Sequence, residues 1–282
     1  MKTIAPTSRN PLIAAAALAL LSLLAPMPPA QAETTDWAGN EGGRMRIVAL
    51  APDTRGIVRG ALQIEPKAGW ITYWREPGDA GIPPHINFPS SSDVTLQKMS
   101  YPVPKRFDNG DLRDIGYDGP VAFPFELKIT DPSKPAKLTA STFIGLCRNI
   151  CIPFQADFSL SLNQEGGTSF SEAMIVNDAE TKLPEKPSGD FAVTHYAVSA
   201  DGDQLRLRLR LPKDAVKKPK VIVTGPEGHV LFSDDDGKRD GDDYSVALPV
   251  GKLPKDYDIK GKRWGILVLA GNRAMETSLA FE

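Results

Sequence analysis

Apolar and polar residues alternate with a period of two along most of this chain, the spacing that puts successive side chains on opposite faces of a strand. Leu138, Ala140, Thr142, Ile144 and Leu146 form one such stripe, and Ile152, Phe154, Ala156, Phe158, Leu160 and Leu162 form another. Val121, Phe123, Phe125, Leu127 and Ile129 make a third. Arg44 to Leu50 and Ile57 to Glu65 read as two earlier strands, and Trp70 to Glu76 as an aromatic strand running into the Gly- and Pro-rich stretch from Pro77 to Pro84. Trp70 and Trp74 suit either a ligand platform or the anchors of a sandwich core, and core anchoring is the simpler expectation. Tyr101 to Gly119 is broken by Pro102, Pro104, Asn109-Gly110 and Gly116 and reads as a loop, a candidate mobile cover.

Beyond residue 162 the pattern changes before strands return. Ser169 to Glu180 suits a short helix, and Leu183 to Gly189, with Pro184 and Pro187, reads as a linker. Strands resume at Phe191. Leu205 to Leu211 alternates leucine with Arg206, Arg208 and Arg210, which predicts a solvated arginine face rather than an anion site. The acidic run Asp234 to Asp243 lacks the ligand spacing and final Glu of an EF-hand loop and predicts a charged hairpin turn. Trp264 to Leu269 and Met275 to Phe281 close a second sandwich. The expected fold is all-β, with a first domain over 33–165, a linker with a short helix over 166–190, and a second β-sandwich over 191–282.

The chain's two cysteines, Cys147 and Cys151, stand between the two longest stripes. Fully extended, residues 147 to 151 span about 13 Å, against the roughly 5–6 Å between Cα atoms that a disulfide needs, so a bond between them requires the chain to turn back. A hairpin with Arg148, Asn149 and Ile150 in its turn does this, and Asn tolerates the backbone such turns demand. Both cysteines are out of phase with the apolar stripes, which places them on the less apolar face. Three readings apply. A structural staple closing so small a loop gains only roughly 2 kcal/mol, against nearly 5 for a loop of about 100 residues. A soft-metal site for copper(I) or zinc lacks a compact ligand set, with His85, His195 and His229 scattered. A redox pair needs only proximity and exposure, and fits best.

The N-terminus supplies the compartment. Lys2 and Arg9 precede an apolar run from Leu12 to Ala25, and Ala30 and Ala32 give an A-x-A site before Glu33. Residues 1–32 are therefore expected to be a secretory signal peptide cleaved after Ala32. Removing Lys2 and Arg9 from 33 basic residues leaves 31 against 35 acidic ones, a mature charge of about −4. That balance argues against nucleic acid or an anionic membrane surface as partner. No later stretch is long enough to span a bilayer, and the pattern calls for no cofactor and no metal.

Gly69-Trp70, Tyr73-Trp74-Arg75, Pro77-Gly78-Asp79, Gly81, Gly116-Tyr117, and Cys147 with Ile150-Cys151-Ile152-Pro153 together resemble the periplasmic N-terminal region of the thiol:disulfide interchange protein DsbD family. The likeness is closest to the ScsB-like branch, specific over residues 44–165 and weaker beyond. It implies immunoglobulin-like sandwiches and a periplasmic thiol:disulfide oxidoreductase that passes electrons from a membrane-embedded thiol reductant to thioredoxin-fold periplasmic proteins. The catalytic pair would be Cys147 and Cys151, with Cys151 forming mixed disulfides and Cys147 resolving them. An aromatic-tipped cap is implied over the oxidised pair, and Phe107 and Tyr117 hold its relative position. The Cys-x3-Cys spacing is shorter than in the best-known member. The 282 residues include neither a transmembrane domain nor a thioredoxin domain with Cys-x-x-Cys, so reduction by a separate membrane protein, or a role as a soluble shuttle, is implied. The alternative is a partner-binding or copper-binding module with a structural disulfide.

Overall fold

The computed structural model describes residues 34–109, 112–162, 169–215, 218–233 and 237–282. The signal-peptide expectation for residues 1–32, and positions 234–236 of the acidic run, lie outside them.

The first half of the chain supplies eleven strands among the described residues: β1 (Ala38–Gly39), β2 (Gly43–Ala49), β3 (Ile57–Pro66), β4 (Ile71–Gly78), β5 (His85–Asn87), β6 (Val94–Met99), β7 (Lys105–Asn109), β8 (Leu112–Tyr117), β9 (Val121–Ile129), β10 (Ala136–Cys147) and β11 (Cys151–Leu162). They form two antiparallel sheets, ordered β1-β2-β3-β9-β6 and β11-β10-β4-β8-β7, with β5 also paired to β10. The inward stripes predicted from the sequence meet between the sheets. Met45, Ile47, Leu62, Ile64, Phe123, Leu127, Leu138, Ile144 and Leu146 are all fully buried there. Trp74 joins this core and Trp70 packs against it, as core anchors do. Here, as in the second half, the architecture is the immunoglobulin-like sandwich expected from the alternation.

Residues 101–119 depart from the loop expected there. Pro102 and Pro104 precede a pair of short strands, and Gly116 is accommodated within the second: β7 and β8 form a hairpin, and Ile115 is buried in the core. The predicted helix is present as α1 (Phe170–Thr181), whose N-cap Ser169 accepts a hydrogen bond from Glu172 N. Its Val176 packs on Val48, Leu50 and Ala61, so the helix covers the outer side of the first sheet.

The second half contributes β12 (Ala192–Val198), β13 (Gln204–Arg210), β14 (Lys220–Thr224), β15 (Val230–Phe232), β16 (Lys238–Asp240), β17 (Asp243–Pro249), β18 (Arg263–Ala270) and β19 (Arg273–Ala280). Their sheets, β12-β13-β17-β16 and β15-β14-β18-β19, enclose a core around Leu207, Val223, Val246, Trp264 and Ile266. Arg206, Arg208 and Arg210 are exposed, as alternation predicts, and β16 and β17 form a hairpin in the acidic run.

The two sandwiches share apolar surface. Ile222, Phe232 and Leu267, on the outer side of the β14-β18 sheet, belong to the same cluster as the first core. Arg106 and Arg113 of the β7–β8 hairpin place their guanidinium carbons 4.5 and 5.0 Å from the Phe232 ring centroid. Arg75 pairs with Glu276. The predicted linker is tied down as well: Glu185 bridges Met275 in parallel, and Arg273 pairs with both Glu185 and Asp190.

Candidate functional site

Strands β10 and β11 pair residue for residue from Ala136↔Leu162 to Cys147↔Cys151, so the register ends on the two cysteines. Arg148, Asn149 and Ile150 make the turn, closed by a hydrogen bond from Arg148 N to Ile150 O of 3.1 Å. This is the hairpin the sequence predicts. Cys147 and Cys151 are joined in a disulfide with their Cα atoms 4.1 Å apart. Their environments differ: Cys147 is only 5% exposed, whereas Cys151 is open to solvent.

The burial of Cys147 shows that the outward face of this sheet is not bare. After β4 the chain turns back across it before entering β5, and glycines allow the close approach. A Cβ on Gly145 would stand 2.6 Å from Ile82 Cβ and 3.2 Å from Tyr73 Cδ2, and one on Gly81 would stand 2.4 Å from Tyr73 Cδ1. Tyr73 is therefore clamped between strand β10 and the segment 79–84, and is 1% exposed. Its hydroxyl lies 3.4 Å from Cys151 Sγ and, with the sulfur in a disulfide, is the donor of that contact.

Two carboxylates pin the covering segment to β8. Asp79 accepts from Arg113 N at 2.9 Å, and Asp114 accepts from Ala80 N at 3.1 Å. Burial raises the Asp114 carboxyl above its ordinary range, and the charge of Asp79 adds to this, while the Ala80 N–H opposes it. Burial also pushes the Tyr73 hydroxyl up to about 12, helped by the negative charge of Asp114. At neutral pH Tyr73 is thus a neutral donor held against the sulfur of Cys151, the exposed residue of the pair. At the tip of the turn Ile150 is 66% exposed, an apolar side chain adjacent to Cys151.

Phe107 and Tyr117 lie elsewhere. Tyr117 is opposite Thr72, which is followed across the sheet by Leu146, so it shares their inward face, opposite to that of Cys147. Its ring packs 5.4 Å from Phe123 and its hydroxyl donates to Pro102 O at 2.8 Å. Phe107 is half-buried on β7, at the far edge of the sheet and three strands from β10, about 14 Å at the usual strand spacing. The hairpin that carries both is drawn towards Phe232 by Arg106 and Arg113. The segment over the sulfur-bearing face is 79–84, and the sequence signal for it was a glycine in mid-strand, Gly145, facing outwards with no side chain of its own.

Among the described residues, no three or more His, Cys, Asp or Glu side chains gather in a metal-binding group, and no helix is long and apolar enough to cross a membrane.

Comparisons with known proteins place this hairpin in a family. Residues 46–163 match the family model described as thiol:disulfide interchange protein DsbD, N-terminal. The crystal structure of the N-terminal periplasmic domain of ScsB from Proteus mirabilis superimposes with a TM-score of 0.70 at 26% sequence identity, covering 89% of this chain and 98% of that one. The GAE domain of GGA2p from Saccharomyces cerevisiae aligns with a TM-score of 0.30 at 12% identity, over 46% of this chain and 99% of that one. None of the curated proteins compared with the sequence matches it. The Cys147–Cys151 hairpin therefore belongs to a DsbD N-terminal domain of the ScsB-like kind, spanning residues 46–163.

Proposed function

We propose that this protein is a periplasmic thiol-disulfide exchange protein that carries electrons through Cys147 and Cys151. It would take them from a membrane-embedded thiol reductant and pass them to thioredoxin-fold partners. The observation that carries this reading is the asymmetry of the pair: Cys147 is a buried residue and Cys151 an exposed one, at the end of a hairpin in a DsbD-type domain. Exchange needs an accessible sulfur for mixed disulfides and a sheltered one to resolve them. A reducing thiolate attacks Cys151 Sγ, forming a new S–S bond as the Cys147–Cys151 bond breaks and Cys147 leaves with the electron pair. The donor's second thiolate then attacks its own sulfur in the mixed disulfide and releases Cys151. The chain has gained two electrons and, after taking two protons, is a dithiol. Delivery reverses the steps, with Cys151 attacking the acceptor's disulfide and Cys147 resolving. Residues 33–165 would form the redox domain and 191–282 a second domain, after removal of residues 1–32 on export.

Titrating the couple in glutathione buffers with thiol labelling tests this role. A potential between roughly −270 and −120 mV is expected, the range of exchange proteins, whereas one well below about −300 mV identifies a structural staple. A Cys147→Ala variant should then accumulate a mixed disulfide through Cys151 with an oxidised thioredoxin-fold protein. Failure to do so removes the assignment of Cys151 as the exchange residue.

A further inference from the structure

Strand β11 is the outermost strand of its sheet, and no described strand pairs with its far side. The register determines which backbone groups face that open side. In an antiparallel pair, opposed residues alternate between those that exchange hydrogen bonds, with Cα atoms about 5.5 Å apart, and those that do not, at about 4.5 Å, whose N–H and C=O point away from one another. Cys147 and Cys151 are opposed at 4.1 Å, so they are of the second kind and Cys151 turns its N–H and C=O to the open edge. Pro153, opposite Gly145, has the same parity, so its missing N–H falls on the open side, where edge-strand prolines are tolerated. Ala156 has the other parity, and its carbonyl faces β10, where Thr142 Oγ1 donates to it at 3.1 Å.

The edge therefore offers both a donor and an acceptor at Cys151, then an acceptor alone at Pro153. Such an interruption discourages the addition of a long strand and leaves room for a short one. Direction adds to this. Attack on a disulfide is in line, and the Cys147–Cys151 bond runs across the two strands from β10 to β11. Prolonged beyond Cys151, that line passes over the open edge.

We propose that the edge of β11 at Cys151 is a docking strand for an extended, cysteine-bearing segment of a protein partner, held by two backbone hydrogen bonds to Cys151. This rests on the exchange role proposed above. A residue paired there has its Cα about 5.5 Å from that of Cys151, within the roughly 4.4–6.8 Å that a disulfide spans. The partner's thiolate then bonds to Cys151 Sγ while Cys147 departs as the thiolate, and Ile150 supplies an apolar contact beside the new bond.

The test uses the oxidised protein and two capped pentapeptides, Val-Thr-Cys-Thr-Val and the same peptide N-methylated at its cysteine, with reduced glutathione as a third thiol. Mixed-disulfide formation is followed by mass spectrometry, and each peptide's rate is divided by its rate with oxidised glutathione. The methylated peptide should react about two- to tenfold more slowly, the effect of losing one net backbone hydrogen bond. Pro153→Ala, which returns an N–H to the edge, should speed the unmodified peptide and leave glutathione unchanged. Equal normalised rates for the two peptides, with glutathione still opening the disulfide, overturn the docking edge alone. A disulfide that resists all three thiols overturns the exchange role and the docking edge together.

Discussion

Tyr73 bears on Cys151 directly through its hydroxyl, and Asp114 bears on it through Tyr73, whose pKa its charge helps to raise. A hydroxyl donating to a sulfur favours the ionised form, and a carboxylate that weakens the hydroxyl as a donor lessens that effect. With its own pKa pushed up to about 12, Tyr73 stays protonated throughout the range in which thiols ionise, so it remains a donor 3.4 Å from Cys151 Sγ. In the reduced protein, Tyr73→Phe is expected to raise the Cys151 thiol pKa by about one unit, the equivalent of ~1.4 kcal/mol. Asp114→Asn, which removes the anion facing Tyr73, is expected to lower it. Because burial raises the Asp114 carboxyl, its charge and its influence fade as the pH falls into the carboxylate range. The pH profile of alkylation in a Cys147→Ala background isolates Cys151 and reads both shifts. A Tyr73→Phe profile that superimposes on its parent assigns the hydroxyl a packing role only.

At the scale of elements, the segment that covers Tyr73 beside the disulfide depends on glycine. Gly145→Ala puts a methyl group 2.6 Å from Ile82 Cβ, so the segment 79–84 must lift. Overpacking of this kind costs about 1–3 kcal/mol. The expected result is a lower melting temperature together with faster reduction by dithiothreitol, measured on the same preparation. Faster reduction is the informative half, since lost stability with an unchanged rate means that the segment does not shield the pair. The hairpin itself was legible in the sequence because its two stripes are long, nearly uninterrupted and in register with the cysteines. The cover was not, because alternation reports one buried face per strand and β4 buries both: Thr72 and Trp74 face the core while Tyr73 lies under the returning chain. The β7–β8 hairpin was hidden for a related reason. Its five- and six-residue strands, interrupted by Gly116, carry little periodic signal, and their placement comes from pairing with β4 and stacking on Phe232.

At the scale of the whole molecule, the second sandwich acts as a support for the first. Phe232 lies under Arg106 and Arg113, and the backbone of Arg113 holds Asp79 at the root of the segment that covers Tyr73. Arg75, on the strand that carries Tyr73, reaches across to Glu276, and its guanidinium carbon also lies 4.1 Å from the Trp74 ring centroid. With Ile222, Phe232 and Leu267 buried in the first cluster, the two halves share a core and should unfold together. Trp74 and Trp264, one in each core, report that transition through fluorescence in guanidinium chloride. A single transition is expected for the parent protein. Phe232→Ala should cost about 3–5 kcal/mol, as large-to-small changes in cores do. If the shared core is the coupling, the variant moves the whole transition to lower denaturant, or splits it as the halves separate, and its disulfide becomes more rapidly reducible by dithiothreitol. Two well-separated transitions already present in the parent, with Phe232→Ala shifting only the one that reports Trp264, would mean that the sandwiches are independent and that the second exerts no hold on the cover of the first.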